Sequence, residues 1–148
     1  MAISVSKVGH IVLRVGDLDE SLSFYCGVLG LKEVARCDFG DGPMAFLSTG
    51  NSHHDIALTV RPAGEELGGR SLDHFALKVG DSLEELERVA RDLDSHGVPA
   101  LMALDHRVSQ GLYISDPDGN VIELFVDADE ALWREDPSLV ANAEPLTL

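Results

Sequence analysis

Large apolar residues recur at every second position along Ile11-Val12-Leu13-Arg14-Val15, and again along Phe75-Ala76-Leu77-Lys78-Val79, with Arg14 and Lys78 among the residues between them. Alternate side chains of a strand share a face. Ile11, Leu13 and Val15 therefore form one apolar face, and Phe75, Leu77 and Val79 form the same face of a second strand. A helical stretch follows each, at Ser21 to Gly27 and at Leu83 to Ser95. Both open after an Asp, a residue favoured where helices begin. Strands are then expected at Leu31 to Cys37, Met44 to Ser48 and His54 to Val60, punctuated by Asp41-Gly42-Pro43 and Gly50-Asn51. The second half answers with Val98 to Leu104, Gly111 to Ser115 and Asn120 to Val126. Asp116-Pro117-Asp118-Gly119-Asn120 is a hairpin turn signal between the last two.

This order is a repeat. Gly9-His10-Ile11-Val12-Leu13-Arg14-Val15-Gly16-Asp17 stands beside Asp73-His74-Phe75-Ala76-Leu77-Lys78-Val79-Gly80-Asp81, with His74 following His10 by 64 residues. Each half reads β-α-β-β-β, so the expected fold is α+β: one domain of two pseudo-symmetric modules, residues 8–62 and 70–126. The connector Gly64 to Gly69 is too short to separate independent domains. The tail, residues 127–148, lies outside the repeat. A short helix is expected at Ala128 to Glu135 with Trp133 packing on the body, and Pro137 and Pro145 predict an irregular remainder.

Composition narrows the function. A chain of 148 residues buries roughly 70% of its unfolded surface and needs no metal to fold. A metal held here would serve chemistry. The net charge of −15 disfavours nucleic acid, whose phosphates call for a basic patch, and disfavours an anionic membrane surface. No apolar run approaches the roughly 20 residues of a membrane span, and Met1 to Lys7 lacks the features of a signal peptide. Cys26 and Cys37 form no CxxC and read as thiols of a reducing, cytoplasmic setting.

The chemistry sits on the face opposite the apolar one. His10, Val12 and Arg14, with His74, Ala76 and Lys78, point there, so one His begins each strand. Glu123, between Ile122 and Leu124, is a carboxylate in an apolar strand, a costly placement unless it is paired or bound to metal. Two His at equivalent repeat positions and a Glu in the matching last strand predict a metal triad of His10, His74 and Glu123. Aligning Ile122-Glu123-Leu124 with Ile56-Ala57-Leu58 puts Ala57 where the first half could have offered a fourth ligand. Two His, one carboxylate and open positions suit Fe(II), and the same donors also accept Mn(II), Co(II), Ni(II) or Zn(II).

Four segments carry a family resemblance: Val8-Gly9-His10-Ile11; Ser23-Phe24-Tyr25 with Leu29-Gly30-Leu31; Leu72-Asp73-His74-Phe75; and Asp116 through Leu124. They resemble the vicinal oxygen chelate superfamily of glyoxalases, extradiol dioxygenases, fosfomycin-modifying enzymes and bleomycin-binding proteins. The resemblance implies curved sheets around a shared metal-containing cleft, and a homodimer. The chain looks most like a single-domain extradiol dioxygenase, which would cleave a catechol-like aromatic with O₂. By that resemblance His54 acts on the oxygen intermediate, His106 and Tyr113 hydrogen-bond the substrate, and Phe46 lines the pocket. Strand parity alone puts His53, rather than His54, on the face of Ala57, a conflict that a β-bulge would resolve. Three other activities of the superfamily make different demands. A glyoxalase-like isomerase would need a ligand at Ala57, or Asp55 through a register shift. Fosfomycin-type transferases share the His, His, Glu set, whereas non-catalytic antibiotic-binding proteins have lost it.

Overall fold

A computed structural model describes residues 8, 10–38, 42–52, 54–60, 64, 72 and 74–148. The expectations placed on residues 1–7, on His53, on the connector after Gly64 and on the Trp133 side chain lie outside what it describes. The chain divides into two compact units, Met1–Gly68 and Gly69–Leu148.

The first unit contains β1 (Ile11–Val15), α1 (Leu18–Leu22), β2 (Lys32–Asp38), β3 (Pro43–Ser48) and β4 (Ile56–Val60). The helix begins three residues before the expected Ser21, because the Asp17 side chain caps it by accepting the Glu20 N–H. It then widens into a π-helical stretch over Ser23–Val28. The sheet order is β1-β4-β3-β2, with β1 and β4 parallel. Leu13 and Val15 are buried on the core face with Leu47, Ile56 and Leu58, while Val12 on the opposite face is half exposed. The alternation in β1 thus becomes a two-faced sheet.

The second unit contains β5 (His74–Gly80), α2 (Leu83–Ser95), β6 (Met102–Asp105), β7 (Ser109–Ser115) and β8 (Val121–Asp127). α2 spans the expected residues, but its cap is Ser82, one residue beyond the expected Asp81. The Ser82 hydroxyl accepts the Glu85 N–H, and the Glu85 carboxylate reaches back past the cap to accept the Asp81 N–H, a variant of the capping box. Leu86 and Leu93, two turns apart, bury one stripe of α2. Burial of a Leu side chain of this kind contributes about 1.5–3 kcal/mol. β6 starts at Met102 rather than Val98.

The tail departs from the expected irregularity. After α3 (Glu130–Glu135), a 3₁₀ turn covers Pro137–Ala141, and β9 (Glu144–Pro145) adds to the edge of β6. Pro145 is tolerated there because an edge strand leaves one side without ladder bonds. The sheet order is β5-β8-β7-β6-β9.

The two sheets repeat in register as well as in order. Val12 pairs with Ala57 and Ala57 with Phe46, while Ala76 pairs with Glu123 and Glu123 with Tyr113. Ala57 and Glu123 therefore hold equivalent places, as do Phe46 and Tyr113.

Candidate metal centre

In the first unit three rings gather off the core face. His10 immediately precedes β1, and its ring centroid lies 4.4 Å from that of His54. His54 in turn meets Phe46 of β3 edge to face at 5.2 Å. No bulge is needed to bring His54 here. β4 begins only at Ile56, so strand parity does not extend back to His54. The turn before β4 is built on Asp55, whose carboxylate accepts from the Ser52 hydroxyl at 2.6 Å and from the Thr49 N–H at 2.7 Å and Thr49 hydroxyl at 2.9 Å. These donors, the Ser52 hydroxyl foremost, hold the Asp55 carboxyl below the usual carboxylate range. Asp55 is thereby committed to the turn.

In the second unit Glu123 is buried on β8. Among the described residues its carboxylate meets two imidazoles: Oε2 is 3.5 Å from His74 Nε2, and Oε1 is 4.0 Å from His106 Nε2. Both separations exceed a good hydrogen bond. An imidazole nitrogen and a carboxylate oxygen this close are donors that a divalent ion would take together. The donor chemistry and spacing fit two of the three ligands of a His, His, carboxylate site. His10 belongs to the other unit, and among the described residues no group of three or more His, Cys, Asp or Glu side chains is gathered to hold a metal.

Tyr113 and His106 flank the carboxylate. Tyr113 pairs directly with Glu123 across β7 and β8, and its ring meets His74 edge to face at 5.5 Å. His106 sits in the hairpin turn between β6 and β7. There Asp105 accepts the Arg107 N–H, Arg107 takes a left-handed φ of 69°, and the His106 N–H bonds Ser109 O. The His106 Nε2 lies 3.0 Å from the Tyr113 hydroxyl, and its Nδ1 lies 2.7 Å from the Asn142 carbonyl.

Two features of this second cluster escaped the sequence reading. The Asn142 carbonyl comes from the tail and carries no side-chain signal. Gly111, on β7, leaves room for Glu123: an added Cβ would strike its Oε1 and lie 3.1 Å from its Cδ and Cγ. A Gly inside a strand is a legible sign of such a close approach.

The sheets define an α+β protein of two repeated β-α-β-β-β units, each with its own polar cluster on the face away from its core. The Glyoxalase/Bleomycin resistance protein/Dioxygenase superfamily pattern matches residues 7–124, and the chain belongs to that superfamily. A catechol-2,3-dioxygenase of Bacillus subtilis is 36% identical over 134 residues, covering 88% of this chain and 45% of that protein. The chain thus spans less than half the length of that relative. A lactoylglutathione lyase of Neisseria meningitidis serogroup A is 33% identical over 121 residues, covering 78% of this chain and 87% of that protein. Among solved structures, a glyoxalase/bleomycin resistance protein/dioxygenase domain from Frankia sp. EAN1pec has the same fold, with a TM-score of 0.72 at 23% identity over 86% of this chain and 96% of that one. Among the described residues no helix is long and apolar enough to cross a membrane.

Proposed function

We propose that this protein is a metal-dependent extradiol-type dioxygenase that opens a catechol-like ring with O₂. In this reading His10, His74 and Glu123 hold one divalent ion, Fe(II) by preference. The ion, when bound, would couple electron flow from the catechol to O₂ and orient both.

The observation that carries the reading is the His106–Tyr113 pair, 3.0 Å apart beside the buried Glu123. Two adjacent hydrogen-bonding groups at the edge of the donor set suit a substrate with two adjacent oxygens, one hydroxyl meeting the pair as its proton leaves. The His54 imidazole, beside His10, can donate or accept a proton as the ring opens, and Phe46 against it offers an apolar wall. Electrons come from the ring itself, and both oxygen atoms end in the product, so no further reductant is required. The likeness to a catechol-2,3-dioxygenase supports the same substrate class. An isomerase that takes a ligand at the Ala57 position is less well supported. Ala57 occupies the place equivalent to Glu123, and Asp55 is committed to its turn.

The test is oxygen uptake by protein loaded anaerobically with Fe(II), across a panel of catechols, with Glu123→Gln as control. Uptake with a ring-opened product, lost in the control, is expected. His54→Ala should keep its iron and lose turnover. Iron-replete protein that consumes no oxygen with any catechol would overturn the reading.

A further inference from the structure

The tail beyond the repeat meets the polar cluster at the Asn142 carbonyl, and the chemistry of that contact is one-directional. A backbone carbonyl only accepts hydrogen bonds. The His106 nitrogen 2.7 Å from the Asn142 carbonyl must therefore carry a proton, and in the neutral ring Nε2 is left as the lone-pair nitrogen. That nitrogen faces the Tyr113 hydroxyl and lies 4.0 Å from Glu123 Oε1.

The carbonyl is held from both sides. Before it, the Asp136 carboxylate accepts from the N–H and hydroxyl of Ser138 at the start of the 3₁₀ turn, and the Asn142 N–H and side-chain amide both donate to Leu139 O. After it, β9 pairs with β6, Asp105 opposite Glu144, and the Leu146 N–H bonds Ala103 O. The same β6 leads directly into the turn that carries His106, so one strand registers both partners of the bond.

We infer that the C-terminal tail is a positioning element for His106. Through the Asn142 carbonyl it orients the imidazole and keeps the proton on Nδ1, so that Nε2 faces the site as an acceptor. Without the carbonyl the ring can turn or change tautomer and present an N–H to Tyr113 and the substrate. The consequence for turnover rests on the dioxygenase reading, whereas the tautomer does not.

The test is long-range ¹H–¹⁵N imidazole spectroscopy on the full chain, as purified and loaded with diamagnetic Zn(II), at a pH well above the ordinary histidine value of about 6.5. His106→Gln assigns the signal. The expected result is the Nδ1–H tautomer in both forms. Leu146→Pro, which removes the Ala103 bond in a complete chain, should shift that signal toward the other tautomer or a mixture while the far-ultraviolet circular dichroism is retained. In the Fe(II)-loaded Leu146→Pro variant, kcat for a catechol should fall about tenfold or more, less than the roughly 100-fold that outright loss of a positioned acid–base group costs at least, with KM moved less. An Nε2–H tautomer in the full chain would overturn the inference, even if the Leu146→Pro variant failed to fold. So would an unchanged Nδ1–H signal in a folded variant. A tail-dependent tautomer in a protein inert toward every catechol would leave the positioning intact and remove the dioxygenase reading.

Discussion

Replacing Gly111 with Ala is the most informative single perturbation of the candidate centre. Elsewhere in a strand the change would help by roughly 0.5–1 kcal/mol, since Gly loses more backbone freedom on folding. Here the new methyl would lie 3.1 Å from both Cδ and Cγ of Glu123 and collide with Oε1. Carbon atoms rest about 3.5–4.0 Å apart, so the carboxylate must retreat by roughly 0.5–1 Å. Overpacking of this kind costs about 1–3 kcal/mol, leaving a net loss of about 0.5–2 kcal/mol once the backbone gain is subtracted. Metal binding should suffer more. A ligand pushed off its position is expected to weaken affinity about 10–100-fold, the range seen when the groups orienting a ligand are removed. The other unit shows the compensating arrangement. The positions equivalent to Gly111 and Glu123 hold Met44 and Ala57, so the large and small residues are exchanged. A double-mutant cycle follows from this: Gly111→Ala should cost little stability in a Glu123→Ala background. The assays are urea unfolding for stability and competitive metal titration for affinity. Gly111→Ala protein with unchanged metal affinity, and additive stability effects in the cycle, would refute the reasoning.

Three further outcomes test the supports around the clusters. Asp55→Asn keeps one acceptor but sets an amide against the Thr49 and Ser52 donors, and should cost about 1–2 kcal/mol in urea unfolding. Because the folded Asp55 carboxyl is held below its ordinary value, its contribution is complete above about pH 4 and is lost as pH falls through the folded value. The protection factor of the Thr49 amide, its exchange corrected for the intrinsic pH dependence, should fall over that window in wild-type protein and stay flat in Asp55→Asn. Asp116→Ala removes the acceptor of the Asp118 and Asn120 N–H groups and of the Asn120 amide, and should cost about 2–3 kcal/mol by thermal or urea unfolding. Ser82→Ala deletes the cap of α2 and should lower stability by about 1 kcal/mol with metal affinity unchanged, as measured by the same titration.

The repeat, the sheet faces and the turn at Asp116 were legible because each depends on local periodicity. Alternation in β1 decides which side chains face the core before any partner strand is known, and α2 carries its own stripe and capping residues. The pairing of Glu123 with an apolar strand was legible as a chemical misfit. What lay beyond the sequence was set by contacts between residues distant along the chain. Parity failed at His54 because β4 starts two residues later, at Ile56, where it pairs with β1 and β3, a limit fixed by neighbouring strands rather than by the segment itself. The edge strand at Glu144–Pro145 exists only because β6 exposes unpaired backbone groups, which no local pattern in the tail announces. The bond from His106 to the Asn142 carbonyl spans 36 residues and uses a main-chain atom that every residue possesses. Sequence thus determined the faces, the repeat and the candidate ligands, through side-chain chemistry at regular spacing. Tertiary structure decided which backbone atom orients His106 and which glycine makes room for Glu123, because steric fit and main-chain acceptors belong to the packed chain and not to any residue type.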